Sequence, residues 1–234
     1  MAEPVLVLQF MSDDGPGHLG AWLRQRGIVA DLRNAAAGDA FPDGIQGCGG
    51  LAVLGGAMSA NDDLPFLRAA ERLILDAMRM DVPVLGHCLG GQLMAHALGA
   101  EVHASPAPEV GWHTMQCVDS AAARNWFGPD ATQTVFHWHY EAFEVPAGAE
   151  RLAQSTACPN QAFAIGRHLA MQFHVEIDQQ KIEAWLGATG TSHGHPKDES
   201  PTVQSHRAIR EASARLLQAQ QALADRIYGR WLLA

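Results

Sequence analysis

One segment of the sequence has the pattern of a turn that exposes a reactive thiol. Residues 83–92 read PVLGHCLGGQ, an apolar run followed by Cys88 among small residues. Small neighbours permit a sharp strand-to-helix turn, and the partial positive charge at the start of the following helix favours thiolate over thiol. A structural cysteine buried in such a turn is the alternative. The flanking glycines favour Cys88 as a nucleophile.

A second segment supplies candidates for the base that a thiolate nucleophile needs and for the group that orients this base. Residues 171–176 read MQFHVE, with His174 and Glu176 two positions apart. In an extended segment such residues project from the same face, so Glu176 can hold one ring nitrogen of His174 and leave the other for Cys88. His-x-Glu pairs also occur as solvated residues at strand ends. The pair indicates a catalytic role only in combination with the cysteine segment.

A third segment is a candidate for stabilising the oxyanion that forms when a thiolate attacks an acyl carbon. Residues 54–59 read LGGAMS and follow a buried strand pattern. Glycine lets backbone N–H groups approach a ligand closely. We therefore predict that the N–H groups of Gly56 and Leu89 form an oxyanion hole. A tight loop without a catalytic role is the alternative.

The elements that must position these residues alternate between strand and helix. Short apolar runs predict the strands, and apolar residues at helical spacing predict the helices between them. The predicted strands cover residues 5–9, 50–54, 82–85 and 169–173, and the predicted helices cover residues 18–26, 64–80, 92–98 and 203–231. This alternation predicts an α/β fold with a mostly parallel central sheet flanked by helices.

The middle and the end of the chain depart from this alternation. Residues 101–173 contain short β-like runs broken by Gly, Pro and Asn, which predicts a small antiparallel β portion. Residues 187–200 are polar and rich in Gly, His and Pro, which predicts a loop or lid. We expect a single domain over residues 1–234, with a C-terminal helical extension at about 203–232.

Composition argues against several classes of function. The formal net charge of −9 disfavours binding to nucleic acid. No apolar stretch is long enough to span a membrane, and no export signal precedes the first predicted strand. The four cysteines form no CxxC pair, which suits a reducing compartment. We therefore expect a cytoplasmic protein that uses no cofactor.

The histidines raise the question of a metal site, which the sequence does not favour. His137 and His139 share one face of a predicted strand, and His193 and His195 lie in the polar loop. Metal sites in proteins need three or four ligands. Nothing near either pair in the sequence completes such a set, so we expect no metal.

The cysteine and His-x-Glu segments together resemble the class I glutamine amidotransferases, which carry a G-x-C-x-G-x-Q turn and a late H-x-E. The resemblance covers most of the chain and extends to stand-alone members similar to the glutaminase domain of GMP synthase. It implies a flavodoxin-like fold and a triad in which Cys88 is the nucleophile, His174 the base and Glu176 its orienting group. It also implies that Gly56 belongs to the oxyanion hole.

The same resemblance implies which residues contact the substrate glutamine. They are Leu89, Gln92, His139, Tyr140 and Glu141, the last three around its α-amino and carboxylate groups. Tyr140 stands where the family usually has glycine, and His87 stands where it usually has an aliphatic residue. We expect His87 to pack beneath the turn; the alternative is that it changes the environment of the thiol.

The implied reaction is hydrolysis of the γ-amide of glutamine through a cysteine thioester, which releases glutamate and ammonia. Such glutaminase domains usually pass ammonia to a synthetase. This sequence has no P-loop, so a separate synthetase partner is expected.

Several alternatives to this reaction stay open. One is a stand-alone hydrolase of γ-glutamyl peptides or γ-glutamyl amines, and another is a non-catalytic regulatory or binding subunit on the same fold. Cysteine peptidases and stress proteins that also place a cysteine on such a turn fit less well. They carry a histidine soon after the cysteine and lack the late HVE that ends at Glu176.

The thiolate argument predicts an order of reactivity among the four cysteines. Cys88 should be alkylated faster than Cys48, Cys117 and Cys158, because a helix N-terminus and an adjacent histidine both favour its thiolate. Brief iodoacetamide treatment followed by mass spectrometry should find the label first on Cys88. Uniform labelling, or labelling of another cysteine first, would contradict the prediction.

Overall fold

The computed structural model describes residues 3–187 and 200–233, and a nine-stranded sheet forms their centre. The strands are β1 (Val5–Gln9), β2 (Ala30–Asn34), β3 (Gly50–Val53), β4 (Val84–His87), β5 (Val102–Cys117), β6 (Thr132–Phe143), β7 (Glu150–Gln154), β8 (Ala162–Ile165) and β9 (His168–Met171). The α-helices are α1 (Gly17–Gln25), α2 (Pro65–Arg79), α3 (Leu89–Ala97), α4 (Ala121–Phe127), α5 (Gln179–Gly187) and α6 (His206–Leu233), and Ala35–Ala37 forms a short 3-10 helix.

The sheet has the strand order β2-β1-β3-β4-β9-β8-β7-β5-β6. Neighbouring strands from β2 to β9 are parallel, and every pair from β9 to β6 is antiparallel. The predicted α/β fold with helices flanking a central sheet is confirmed. The antiparallel portion is larger than expected, because it contributes half of the strand pairings.

Helices on the two faces of the sheet create two separate hydrophobic cores. Val5 and Val7 of β1 point into a core shared with α1, α4 and α6. Leu6 and Leu8 of the same strand point into a core shared with α2 and α3. Because successive strand residues alternate between faces, a strand covered on both sides is apolar throughout. This is why β1 was recognisable from its sequence.

The sequence analysis did not predict the elements β2, α4 and α5. β2 lies at the edge of the sheet, and none of its residues is fully buried, so it lacks an apolar pattern. The seven-residue helix α4 is too short to show helical periodicity, and its start is marked only by Ser120, whose hydroxyl accepts a hydrogen bond from the N–H of Ala123. In addition, α3 begins at Leu89, directly after Cys88, and not at Gln92 as predicted.

The hairpin of β5 and β6 has an apolar outer face that packs on α5 and the first half of α6. Trp112, Phe136 and Trp138 lie in this third core beside Trp185 of α5. The buried polar residues Glu109, His137 and His139 lie on the opposite face, as the twofold alternation of a strand requires. The hairpin therefore presents different chemistry on its two sides.

The helix α6 has 28 residues, but its surface carries many charged side chains. Leu223, Ile227 and Trp231 form its buried side, and they join the same core as α1 and α4. Among the helices that the structure describes, none has the length and apolarity to cross a membrane.

The junction of β4 and α3 is so crowded that glycine is required there. A methyl group on Gly90 would lie 2.1 Å from the carbonyl oxygen of Val53, and one on Gly86 would lie 2.7 Å from the backbone of Gly90. Contacts under 3.0 Å do not occur at real Cβ atoms, so the backbone would have to move. These glycines allow α3 to approach the sheet closely.

A pair of glycine substitutions tests this crowding. Gly90→Ala should lower the free energy of unfolding by about 1–3 kcal/mol, because overpacking outweighs the better helix propensity of alanine. Gly229→Ala is the matched control in α6, where no atom lies within 4 Å of the added methyl group. It should raise the free energy of unfolding by about 0.5–1 kcal/mol. Denaturant titrations followed by circular dichroism measure the free energy of unfolding of both variants. Equal changes in the two variants would contradict the claim that Gly90 is crowded.

Candidate active site

Cys88 occupies a strained turn between β4 and α3. Its backbone angles are φ 49° and ψ −107°, a conformation that residues with a side chain rarely adopt. The turn is held in place by a hydrogen bond from the N–H of Cys88 to the carbonyl of Met171, at 2.8 Å. The thiol is only 6% exposed. Strain of this kind is typical of functional sites.

His174 and Glu176 lie in the extended segment that follows β9, and their side chains meet. Nδ1 of His174 is 2.7 Å from Oε1 of Glu176, and both residues are buried. The N–H of His174 donates to the carbonyl of Phe136 in β6, and the edge of its ring packs against Trp185 at a centroid distance of 4.9 Å. The backbone of His174 is therefore anchored to β6, and its ring is held by Glu176 and Trp185.

A cavity of about 330 Å³ opens over Cys88 and His174. Its walls come from the loops after β1 and β3, from α3, from β6 and from α5. The lining residues are Asp14, Gly56, Ala57, Met58, Ser59, Cys88, Gln92, Trp138, His139, Tyr140, Glu141, His174 and Trp185. The structure thus brings the cysteine, the histidine and the glycine loop, which are far apart in the sequence, to one cavity.

The residues expected to contact the substrate also converge on this cavity, with one exception. Nε2 of Gln92 donates to the carbonyl of Glu141 at 3.1 Å, and the Glu141 carboxylate accepts from Ser59 at 3.0 Å. Tyr140 lies beside them and is 38% exposed. The exception is Leu89, whose side chain is buried beneath the site and does not line it. Its backbone N–H belongs to the first turn of α3, where helical N–H groups lack intrahelical partners.

The glutamine amidotransferase class-I family model matches residues 29–185. The chain belongs to this family. The glutamine amidotransferase-like protein YfeJ of Salmonella typhimurium is 29% identical over 199 residues, which cover 82% of this chain and 80% of that protein. GMP synthase of Aeropyrum pernix is 29% identical over 175 residues, which cover 72% of this chain and 33% of that enzyme. The match therefore spans about a third of that GMP synthase.

Solved structures of glutamine amidotransferases share the fold over the whole chain. A glutamine amidotransferase from Methylobacillus flagellatus is 35% identical, with a TM-score of 0.94 over 100% of this chain and 95% of that chain. A second, from Thermotoga maritima, is 24% identical with a TM-score of 0.88, and it supports the fold alone.

The negative charge of Glu176 sets the protonation of His174. Burial lowers the pKa of His174, but the Glu176 carboxylate and the Cys88 thiol outweigh it and raise that pKa to about 10. Nε2 of His174 forms no hydrogen bond of standard geometry within the described part of the chain, although Cys88 is close enough to act on its charge. A histidine in this state favours a thiolate beside it.

A buried lysine and a buried aspartate complete the charge arrangement around Glu176, and the sequence analysis missed both roles. Nζ of Lys181 lies 3.2 Å from Glu176 and 2.7 Å from Asp14, and all three side chains are almost fully buried. Burial opposes ionisation of Glu176, but the charges of Lys181 and His174 hold its pKa well below its usual range. The position of Asp14 just after a parallel strand is the signal that could have indicated it.

His87 lies beneath the turn as expected, and its ring faces the carboxylate. It is fully buried, and its Nε2 is 3.7 Å from Oε2 of Glu176. Burial lowers the pKa of His87 to about 4, which the charge of Glu176 only partly opposes. His87 is therefore a neutral side chain at neutral pH.

Two further expectations concern the polar loop and the histidine pairs. Residues 188–199, with His193 and His195, lie outside the described residues, so the predicted lid stays a prediction. Near His137 and His139 the chain does bring a third candidate ligand, Glu109, which is distant in sequence but opposite His139 in the β5–β6 pairing. Glu109 was not recognised as a third candidate because the strand pairing was not visible in the sequence, and the expectation of no metal stays a prediction.

The charge of Glu176 can be tested through the titration of His174. Because the folded pKa of about 10 exceeds the usual 6.5, protonated His174 stabilises the fold fully below pH 6.5, and this stabilisation is lost as pH rises through 10. In Glu176→Gln the pKa should fall, because the attraction is removed while Lys181 still repels. NMR titration of the His174 ring measures the shift.

The control for this titration is Glu144→Gln, which removes an exposed carboxylate that pairs with His103. It should leave the titration of His174 unchanged. An unaltered pKa of His174 in Glu176→Gln would contradict the electrostatic account.

Proposed function

We propose that the protein hydrolyses the γ-amide of glutamine through a Cys88 thioester and releases glutamate and ammonia. The observation that carries this proposal is the strained cysteine turn that opens into the same cavity as a histidine held by a carboxylate. Nucleophile, base and orienting group are the minimum set for acyl transfer by a cysteine. Membership of the class-I family supports the same reaction.

In the first half of the reaction the Cys88 thiolate attacks the γ-carbonyl carbon of glutamine. The carbonyl oxygen becomes an oxyanion, and we assign its stabilisation to the backbone N–H groups of Gly56 and Leu89. Gly56 lies in a loop with little free space, since an added methyl group would lie 2.8 Å from the side chain of Leu89. Glycine at this position therefore lets the loop lie close to Leu89, and a backbone N–H held in place is what electrostatic stabilisation requires.

Protonated His174 then donates its Nε2 proton to the leaving nitrogen, the C–N bond breaks, and ammonia departs. His174 accepts a proton from a water molecule that attacks the thioester, and the C–S bond breaks to give glutamate and the Cys88 thiolate. Glu176 stays ionised throughout, since Lys181 keeps its pKa low. Its role is to hold the ring and to stabilise the positive charge.

Recognition of the glutamyl group is assigned to the polar wall of the cavity. The Glu141 carboxylate is oriented by Ser59 and suits the α-amino group of the substrate. Gln92, His139 and Tyr140 lie next to it. Nδ1 of His139 is 3.1 Å from the carbonyl of Glu141, which keeps this segment in position.

A second candidate reaction is hydrolysis of larger γ-glutamyl amides or γ-glutamyl peptides by the lone protein. The cavity favours it through one feature, the aromatic wall of Trp138 and Trp185, whose rings pack edge to face at a centroid distance of 5.6 Å. Ammonia needs no such wall, whereas an apolar leaving group would gain by contacting it.

A separate synthetase that accepts the ammonia is the corresponding partner for the glutaminase reaction. The match covers only 33% of the GMP synthase of Aeropyrum pernix. We therefore propose that a synthetase, if this chain serves one, is a separate protein. A non-catalytic role on the same fold is disfavoured because Cys88, His174 and Glu176 are all present.

The cytoplasmic location and the single domain stay predictions.

Replacing the nucleophile tests both candidate reactions. Cys88→Ala should lower turnover of every γ-glutamyl substrate at least about 1,000-fold, because the covalent route is lost. Cys117→Ser is the control, since Cys117 is a partly buried thiol that does not line the cavity, and it should retain activity. Ammonia and glutamate release from glutamine, γ-glutamyl peptides and γ-glutamyl amines provides the measurement.

The substrate comparison decides between the two reactions. Glutamine turnover that rises on addition of a synthetase supports the glutaminase reaction. If the lone protein hydrolyses an amide with a large apolar leaving group faster than glutamine, this supports the hydrolysis of larger γ-glutamyl amides. Full activity of Cys88→Ala would overturn both.

A further inference from the structure

A compact group of metal-binding side chains lies on the inner face of the β5–β6 hairpin. Glu109 of β5 pairs directly with His139 of β6, and His137 lies two residues further along the same face. Each of the three offers one ligand atom, and these atoms all lie within 4.8 Å of one another. The residues are at most 2% exposed. None of this geometry is required by the thiolate chemistry at Cys88.

His137 is the member of the group that most needs explanation. It is completely buried, and neither of its ring nitrogens has a hydrogen-bond partner within the described part of the chain. Buried polar groups are nearly always hydrogen-bonded, because an unpaired one loses its interaction with water and gains nothing in return. Coordination of a cation by one nitrogen would remove this cost.

The two contacts of the His139 ring also favour a bound cation. Its Nδ1 lies 3.1 Å from the carbonyl oxygen of Glu141 and its Nε2 lies 3.1 Å from Oε2 of Glu109. A carbonyl only accepts hydrogen bonds, so Nδ1 carries a proton. The lone pair of Nε2 in neutral His139 would then face a carboxylate, which is unfavourable unless a cation stands between them. Metal-bound histidines commonly donate their other N–H to a backbone carbonyl in this way.

We propose that Glu109, His137 and His139 form a binding site for a divalent transition-metal ion, of which Zn²⁺ fits best. Two imidazoles and a carboxylate are a typical Zn²⁺ ligand set, with bonds of about 2.0–2.2 Å. Ligand atoms at that distance in tetrahedral geometry lie roughly 3.3 Å apart, and the contact of Glu109 with His139 is already 3.1 Å. The ligand atom of His137 lies within 4.8 Å of both of the others.

A neighbouring side chain supports the carboxylate end of the site. Nε2 of Gln161 donates to Oε2 of Glu109, and the same amide group reaches Ser155 at 3.1 Å. Such a donor orients a carboxylate towards its ligand. His139 also lines the cavity above Cys88, so the ion would be separated from the glutamyl site by one side chain.

An ion pair between protonated His139 and Glu109 is the competing explanation. It accounts for the 3.1 Å contact without a metal, but it leaves both nitrogens of His137 unpaired. The two explanations therefore differ in what they predict for His137 and for metal binding.

Co²⁺ absorption and Zn²⁺ equilibrium dialysis test the site in the Cys88→Ser variant, from which the thiolate has been removed as a competing ligand. We expect one equivalent of Zn²⁺ to bind tightly and to raise the melting temperature, with reversal by EDTA. Co²⁺ should give the visible absorption of a low-symmetry nitrogen and oxygen site.

Adding Glu109→Gln or His137→Phe to that variant should weaken Zn²⁺ affinity at least about 100-fold, since a ligand is lost. His168→Gln is the matched control, because His168 is a buried histidine that accepts a hydrogen bond from Val84 elsewhere in the sheet. The variant with His168→Gln should bind Zn²⁺ with the affinity of Cys88→Ser alone. Equal affinity in all variants would place the ion elsewhere and overturn the assignment.

Anomalous diffraction at the zinc edge gives an answer that does not depend on the folding of any variant. Crystals of the unaltered protein soaked in Zn²⁺ should show a peak between Glu109, His137 and His139. Absence of that peak at saturating Zn²⁺ would show that the ion pair alone explains the cluster. Because the readout is metal binding, it is independent of whether the protein hydrolyses glutamine.

Discussion

The carboxylate of Glu176 is fully buried, and much of the structure serves to keep its charge there. An unpaired buried charge is very unfavourable, so cationic groups must surround it. His174 and Lys181 provide them, and Asp14 in turn neutralises Lys181. The backbone carbonyl of Glu176 accepts the N–H of His18 at the start of α1. One buried group thus ties α1, α5 and the segment after β9 together.

The sequence predicted the buried half of the fold better than the exposed half. Strands covered on both faces, such as β1, are continuously apolar, and helices such as α2 have a clear apolar side. The edge strand β2 and the short helix α4 lack these patterns. The extent of the antiparallel portion was underestimated because β5, with 16 residues, carries prolines and polar residues that break up its alternation.

For the candidate site, local sequence patterns predicted more than long-range contacts did. Cys88, His174 and Glu176 stand in short motifs, and motifs can be read directly. Lys181 lies five residues after Glu176, but its other partner, Asp14, is distant in the sequence, and no motif joins the two. The third candidate ligand beside His137, Glu109, was missed because its position depends on the register between two strands.

The register between β5 and β6 decides which side chains lie on each face of their hairpin. Between the pairs Ala104–Glu141 and Glu109–His139, β5 advances five residues while β6 advances two. The bulge decides that Glu109, and not its neighbour Val110, faces the histidines. Trp138 lies on the other face of β6 and packs in the third core, whereas its neighbours His137 and His139 lie with Glu109. An insertion or deletion in the bulge would alter both surfaces at once.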